Sequence, residues 1–281
     1  MSVNILQAIA NIVANPISEL RSFYTGNNRA NSMGDALEKY VKDVFAGTLL
    51  ETNEQARNKQ YSKVFSFLGT QNHPPDFIIK NGDAVEVKKI ESKGAPLSLN
   101  SSYPKAKLFA DSPMITTPCR DCEDWTEKDI LYAVGVAKNN SLSRLFFVYG
   151  VDYAASAETY EKIRQVIVQG VNLVPDVEFS ETTELGRVNR IDPLGITYLR
   201  IRGMWGIENP TKVFSYAYTP TDAQFEFVAV INTEKYNSFP KEDRERIEKI
   251  TNDNFKISDI EIKSPDNPAI LKQAKLITFH R

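Results

Sequence analysis

The sequence predicts a mixed α/β fold, and three observations carry that prediction. Apolar residues recur at helical spacing in two N-terminal segments, short β-rich runs broken by turn residues begin near residue 64, and strand and helix signals then alternate towards the C-terminus. With 281 residues, 42% hydrophobic and 25% charged, the chain can bury one large core, and composition excludes a disordered or fibrous protein. A single elaborated domain over 1–281 is expected, with neither internal repeats nor low-complexity stretches.

The first helix is predicted from Ile5, Ile9, Ile12 and Val13, stopped by Asn15-Pro16. The second starts at Ser32 as cap with Asp35 three residues on; Met33, Leu37, Tyr40, Val41, Val44 and Phe45 form its apolar stripe, and Gly47 ends it. VFSFLG, PDFIIK and AVEVKKI then read as strands, with a tight hairpin at Asn81-Gly82-Asp83. Residues 94–125 read as loop. ILYAVGVAK and LSRLFFVYGVDY form another strand pair across Asn139-Asn140-Ser141, and Ser156 caps a helix running to about Val168. Strands follow near 196–202, 212–218 and 224–232, then a charged helix from Pro240 to about Thr251 and a closing strand near 275–279.

No apolar run is long enough to span a membrane, and the first 20 residues lack the marks of a secretion signal, so a cytoplasmic protein is expected. Cys119 and Cys122 make a C-x-x-C, but His73 and His280 are the only histidines and lie far away in sequence, so reduced thiols are expected there, not zinc. The net charge of -2 argues against a nonspecific nucleic-acid coat yet permits a local cationic cleft. Within 185–205, Arg187, Arg190, Arg200 and Arg202 face one acid, Asp192.

The chemistry-bearing segment is Pro75-Asp76 followed by Glu86-Val87-Lys88 on the next strand. Phosphodiester hydrolysis requires positive charge on the phosphate, a nucleophilic water and a group that orients it, and hard cations choose carboxylate oxygen. Side chains alternate along a strand. If Asn81-Gly82-Asp83 is a three-residue loop, Asp76 faces Lys88, Ile78 faces Glu86, and all three polar residues share one face. A two-residue loop would split them unless a bulge restored the parity. On the second helix, Glu38 borders the apolar stripe and can lean towards the same pocket.

Helix GDALE, then PPD, AVEVKKIES and LSLNSSYPK, with KDILYAVGV, DYAASAE and YLRIRGMWGIENP further on, resemble in order the NgoPII-like family of type II restriction endonucleases, within the PD-(D/E)XK superfamily. The resemblance covers about residues 27–220. It implies a restriction-endonuclease-like core, a mixed central β-sheet flanked by helices, with the catalytic core at about 30–170 and DNA-recognition elements at about 94–125 and 185–220. It further implies dependence on Mg2+, for which Mn2+ can substitute, a homodimer, a short palindromic double-stranded DNA target with GGCC as candidate, and a companion DNA methyltransferase. Carried onto this sequence, Asp76 and Glu86 become metal ligands together with the Val87 carbonyl, Lys88 orients the attacking water, and Glu38 assists with water or a second metal.

Arg pairs with guanine, and Ser, Lys and Asn bind phosphates. Asn100, Ser101, Ser102, Lys105 and Lys107, just after the catalytic strand, are therefore candidate DNA contacts, as are Arg200 and Arg202 on one strand face, Arg187, Arg190 and Arg29. Trp205 and Tyr198 are assigned to core or interface. The competing readings are a repair or structure-specific nuclease of the same fold, and a DNA-binding protein without catalysis.

Overall fold

The computed structural model describes residues 3–20, 33–70, 73–99, 101–175, 177–180, 182 and 184–281; the expected cap Ser32 and the candidate DNA contacts Arg29 and Asn100 lie outside them. Helix α1 (Ile5–Ala14) is capped by Asn4, whose side-chain oxygen accepts from the Leu6 N–H at 2.9 Å. Helix α2 (Met33–Ala46) buries the predicted stripe Leu37, Tyr40, Val41, Val44 and Phe45, and Gly47 follows it at φ +68°. Helix α3 (Glu54–Val64) was not expected: it buries only Tyr61 and Val64, so it carries little helical periodicity. Its hold on α2 is polar, through the Tyr61 hydroxyl and the Arg57 Nε at 2.8 and 3.2 Å from the buried Asp43 carboxylate.

In chain order the strands are β1 (Phe65–Phe67), β2 (Phe77–Ile79), β3 (Ala84–Ile90), β4 (Leu97–Ser98), β5 (Lys107–Phe109), β6 (Glu127–Lys138) and β7 (Ser141–Tyr149). Then come β8 (Glu178–Phe179), β9 (Gly186–Asn189), β10 (Leu199–Ile201), β11 (Gly206–Ile207), β12 (Glu226–Asn232), β13 (Phe255–Lys263) and β14 (Leu271–His280). The later helices are α4 (Thr117–Arg120), α5 (Ala157–Val171), α6 (Pro210–Val213), α7 (Thr233–Ser238) and α8 (Lys241–Glu248).

The central sheet runs β1-β2-β3-β6-β7-β12-β14-β13, with β5 added beside β6. β3 pairs with β6 and β7 with β12 in parallel, and the other pairings are antiparallel. The β6–β7 hairpin closes on Asn139 and Asn140, both at positive φ, as a two-residue turn matched to strand twist requires. One sheet face, with Val85, Leu131, Ala133, Phe147 and Phe227, packs on α1 and α2; the other, with Ala84, Ile130, Tyr132, Phe146 and Val228, forms a second core with Phe214 and Tyr218. Since β3 alternates, Glu86 and Lys88 sit on the second face and Val85 and Val87 on the first.

The strand expected near 212–218 is instead α6 and the turn after it. Asn209 caps this helix, accepting from the Lys212 N–H at 3.2 Å. Phe214 and Tyr218, four apart, meet Phe146 of β7 at ring distances of 5.9 and 6.1 Å, a helical spacing that alternation alone misreads. The expected loop 94–125 contains β4, β5 and α4, and β8, β9, α7 and β13 add elements that were not foreseen. Ser156 stands at the start of α5 but makes no side-chain capping bond. No described helix is long and apolar enough to cross a membrane.

Candidate active site

The hairpin that carries the polar triad closes differently from expectation but keeps its parity. The pairings Phe77↔Val85 and Ile78↔Ala84, with the Ile79 N–H donating to the Asp83 carbonyl at 3.0 Å, make the loop Lys80-Asn81-Gly82. Asp83 is drawn out of the loop because its carboxylate accepts from the Tyr149 hydroxyl and from Lys235, both at 2.7 Å. The register is thus offset by two residues, which changes partners without changing faces. Continued past Phe77, it sets Asp76 opposite Glu86, not Lys88. Gly69, at φ +85°, lets the chain before β2 run against Asp76: a Cβ there would lie 2.3 Å from the Asp76 carbonyl oxygen.

Asp76, Glu86 and Lys88 converge. The Lys88 Nζ lies 2.6 Å from Glu86 Oε1, and Asp76 Oδ2 accepts from the Val87 N–H at 2.6 Å. Glu86 is 8% exposed, and its Oε2 is buried without a hydrogen-bond partner. Burial is the main force pushing the Asp76 carboxyl up to about 8; the Glu86 and Glu38 charges add to it, while Lys88 and the Val87 N–H oppose it. For Lys88 burial disfavours the ammonium, yet Glu86 and Asp76 outweigh it and the pKa rises. A buried carboxylate oxygen without a donor, beside a second carboxyl whose pKa burial raises, suits a hard cation. Among the described residues no three His, Cys, Asp or Glu side chains gather as a metal cluster, so the side-chain ligands on offer are these two carboxylates.

A pH dependence follows. The Asp76 carboxyl is raised in the folded protein, so its contribution to metal-free stability is present below about pH 4 and is lost as pH rises through about 8. A divalent cation held by Asp76 would need the ionised form and would have to displace that proton. Calcium affinity, measured by calorimetry without DNA, is therefore expected to strengthen by roughly tenfold per pH unit up to about pH 8 and then level off. In Asp76→Asn the slope should vanish; an unchanged slope would place the proton elsewhere.

The triad lies in a cleft of about 900 Å³, whose walls also hold Ser101, Ser102, Lys105, Arg200 and Arg202 of the predicted DNA contacts. Arg200 reaches Glu184 with two bonds, Nη2 to Oε1 at 2.7 Å and Nε to Oε2 at 3.0 Å, and Arg202 Nε also donates to Glu184. These bonds, with the arginine charges, hold the Glu184 carboxyl below its usual range.

Other predicted contacts do not line this cleft. Lys107 is paired with Glu127 on β6 at 2.5 Å, Arg187 lies over the Tyr198 ring at 5.0 Å, and Arg190 is 3.6 Å from Glu178. Glu38 on α2 lines a neighbouring cleft with Arg57 and Thr70, where it is bound to Lys42 at 2.6 Å, and its charge acts on both Asp76 and Lys88. Trp205 is part-buried against the second core, whereas Tyr198 is exposed.

The cleft also contains residues that the sequence reading passed over. Glu184 lies one position before the basic window 185–205 and so escaped its charge count. Tyr103 is the one aromatic among the polar residues of Asn100-Ser101-Ser102-Tyr103-Pro104-Lys105, a signal that was available. Tyr132 gave none, because it reads as an ordinary strand residue. Cys119 and Cys122 carry free thiols, and burial pushes Cys119 up to about 12.

A mixed sheet flanked by helices, with two carboxylates and a lysine displayed on adjacent strands over a cleft edged by arginines, defines a restriction-endonuclease-like fold. The model of the NgoPII restriction endonuclease family matches residues 3–263, and the chain belongs to that family. The type II restriction enzyme NgoPII of Neisseria gonorrhoeae is 53% identical to it over 280 residues, covering 99% of this chain and 100% of its own length. No solved structure matches the chain.

Proposed function

We propose that this restriction endonuclease is a single-domain, magnesium-dependent enzyme that hydrolyses both strands of DNA at a short palindromic site, with GGCC as the candidate sequence. The observation that carries the metal assignment is the partnerless, buried Glu86 Oε2 beside Asp76. Asp76 and Glu86 would hold the ion. The Val87 carbonyl is the third ligand: its N–H already meets the Asp76 carboxylate, and both backbone groups of a strand residue point to the same side. When bound, magnesium supplies the charge that offsets the developing negative charge on the phosphate.

Lys88, held by Glu86, orients the attacking water. Glu38 acts at longer range through its charge. Ser101, Ser102, Arg200 and Arg202 contact the DNA around the scissile bond, while Lys107, Arg187, Arg190, Arg29 and Asn100 are assigned to its flanks. A palindrome is read by two symmetry-related copies, hence a homodimer. The family setting adds a companion methyltransferase and a cytoplasmic location.

The test is a plasmid digest with magnesium, manganese, calcium or chelator. Discrete fragments are expected with magnesium or manganese, and none with chelator or calcium. Full cutting in chelator would remove the metal from the reading. Random nicking would favour a repair nuclease, and binding without cutting a DNA-binding protein.

A further inference from the structure

We propose that Lys105 is a second catalytic lysine, whose ammonium contacts the scissile phosphate and stabilises the charge that develops on it. This rests on reading the cleft as the phosphodiesterase site.

Lys105 is only 9% exposed, lies in the cleft with Asp76, Glu86 and Lys88, and makes no ion pair with an acid among the described residues. Lys88, by contrast, is engaged by Glu86 at 2.6 Å. A buried ammonium without a carboxylate partner carries a desolvation cost that a mere backbone-tracking lysine on the surface would not. Burial disfavours the Lys105 ammonium, the Glu86 and Glu161 charges offset this only in part, and the Tyr103 ring lies 4.8 Å from Nζ. An anion entering the cleft would complete the site.

The backbone beneath Lys105 is fixed as a positioned group requires. One hydroxyl, that of Tyr132, accepts from the Lys105 N–H at 2.7 Å and donates to the Lys105 carbonyl at 3.2 Å. Tyr132 lies on β6 in register with Glu86 of β3, so Lys105 is referenced to the carboxylate strand itself. Gly150 permits this approach, since a Cβ there would stand 2.3 Å from the Lys105 carbonyl oxygen. Tyr103 is in turn stacked on Tyr160 at 5.3 Å.

In the reaction the water oxygen forms a bond to phosphorus and gives its proton to solvent. One P–O ester bond breaks, and the departing alkoxide takes a proton from solvent. Lys105 donates a charged hydrogen bond to a phosphate oxygen throughout and transfers no proton.

The experiment compares wild type with Lys105→Met, Lys105→Gln and Asp76→Ala on a duplex carrying the mapped cleavage site. Single-turnover rates are taken at saturating enzyme with magnesium, and binding is read by anisotropy in calcium at one salt concentration. Both Lys105 variants are expected to lose about 100-fold in rate at saturation, as for one lost charge-stabilising donor. Binding should weaken by only about threefold, as for one phosphate contact. Wild-type rates at saturation would overturn the proposal, whether binding fell, which leaves a backbone contact, or the melting temperature fell, which leaves structural support. Should Lys105→Met fail to fold, Lys105→Gln decides alone. If Asp76→Ala cut normally, the reading of the site would fall as a whole; Lys105 variants that cut normally beside a dead Asp76→Ala would sink only the proposal.

Discussion

Asp76→Ala and Lys88→Ala are each expected to lower the single-turnover cleavage rate by at least about 100-fold while specific binding in calcium survives. The expectation follows from how the two groups are held. Asp76 is fixed by the Val87 N–H at 2.6 Å and lies under the charge of Glu86, so on the proposed reading its removal would leave the cation one carboxylate short. Lys88 rests on Glu86 Oε1, so its loss frees a buried carboxylate and, on the proposed reading, would remove the positive charge beside the attacking water. Arg200→Ala and Arg202→Ala should fail differently. Both guanidiniums are held by Glu184 at the rim of the cleft, and DNA would have to take them over from that carboxylate. An arginine that reads guanine is worth about 1–3 kcal/mol of discrimination, so these variants should lose specific binding before chemistry begins. Measured under one salt concentration, wild-type cleavage by Asp76→Ala would reduce the hairpin to a structural feature. Normal binding and cutting by both arginine variants would remove only their recognition role.

What was legible in the sequence was what period and parity govern. The α2 stripe, the strand pair closed by Asn139-Asn140 and the shared face of Asp76, Glu86 and Lys88 all follow from local pattern. The last survived an error in the loop because a shift of two residues preserves parity. What escaped depended on distant partners. Asp83 looked like a turn residue until Tyr149 and Lys235 bound it, and α3 shows no apolar stripe because a buried Asp43 holds it through polar groups. The same limit applies in the cleft. Glu38 borders an apolar stripe as expected, but the neighbouring cleft from which its charge acts on Asp76 and Lys88 is set by the packing of α2. Residue type nominated Lys105 and Lys107 alike, and only the fold separates them: one is buried in the cleft without an acid partner, the other paired to Glu127 on β5's neighbouring strand.

The largest expected loss of stability lies at Arg144 and Glu226, on the parallel strands β7 and β12. They are 1% and 2% exposed and directly in register. Arg144 Nε and Nη2 lie 2.9 and 2.8 Å from Glu226 Oε2, Nη1 donates to Thr211 at 3.3 Å, and Glu226 Oε1 accepts from the Thr221 N–H at 3.0 Å. Removing either charge strands the other in the interior, beside the Tyr218 hydroxyl. Arg144→Met or Glu226→Met alone is therefore expected to cost about 3–5 kcal/mol, because the surviving charge keeps its desolvation cost without its partner. In a chain of this size that corresponds to a melting temperature lower by about 10 °C. The double variant should recover most of the loss, since two apolar side chains of similar volume need no compensation. Denaturant unfolding of all four proteins gives the coupling energy directly. If the double variant lost the sum of the two single effects, the charges would be independent of one another and the pair would not be the tie between β7 and β12 that the geometry describes.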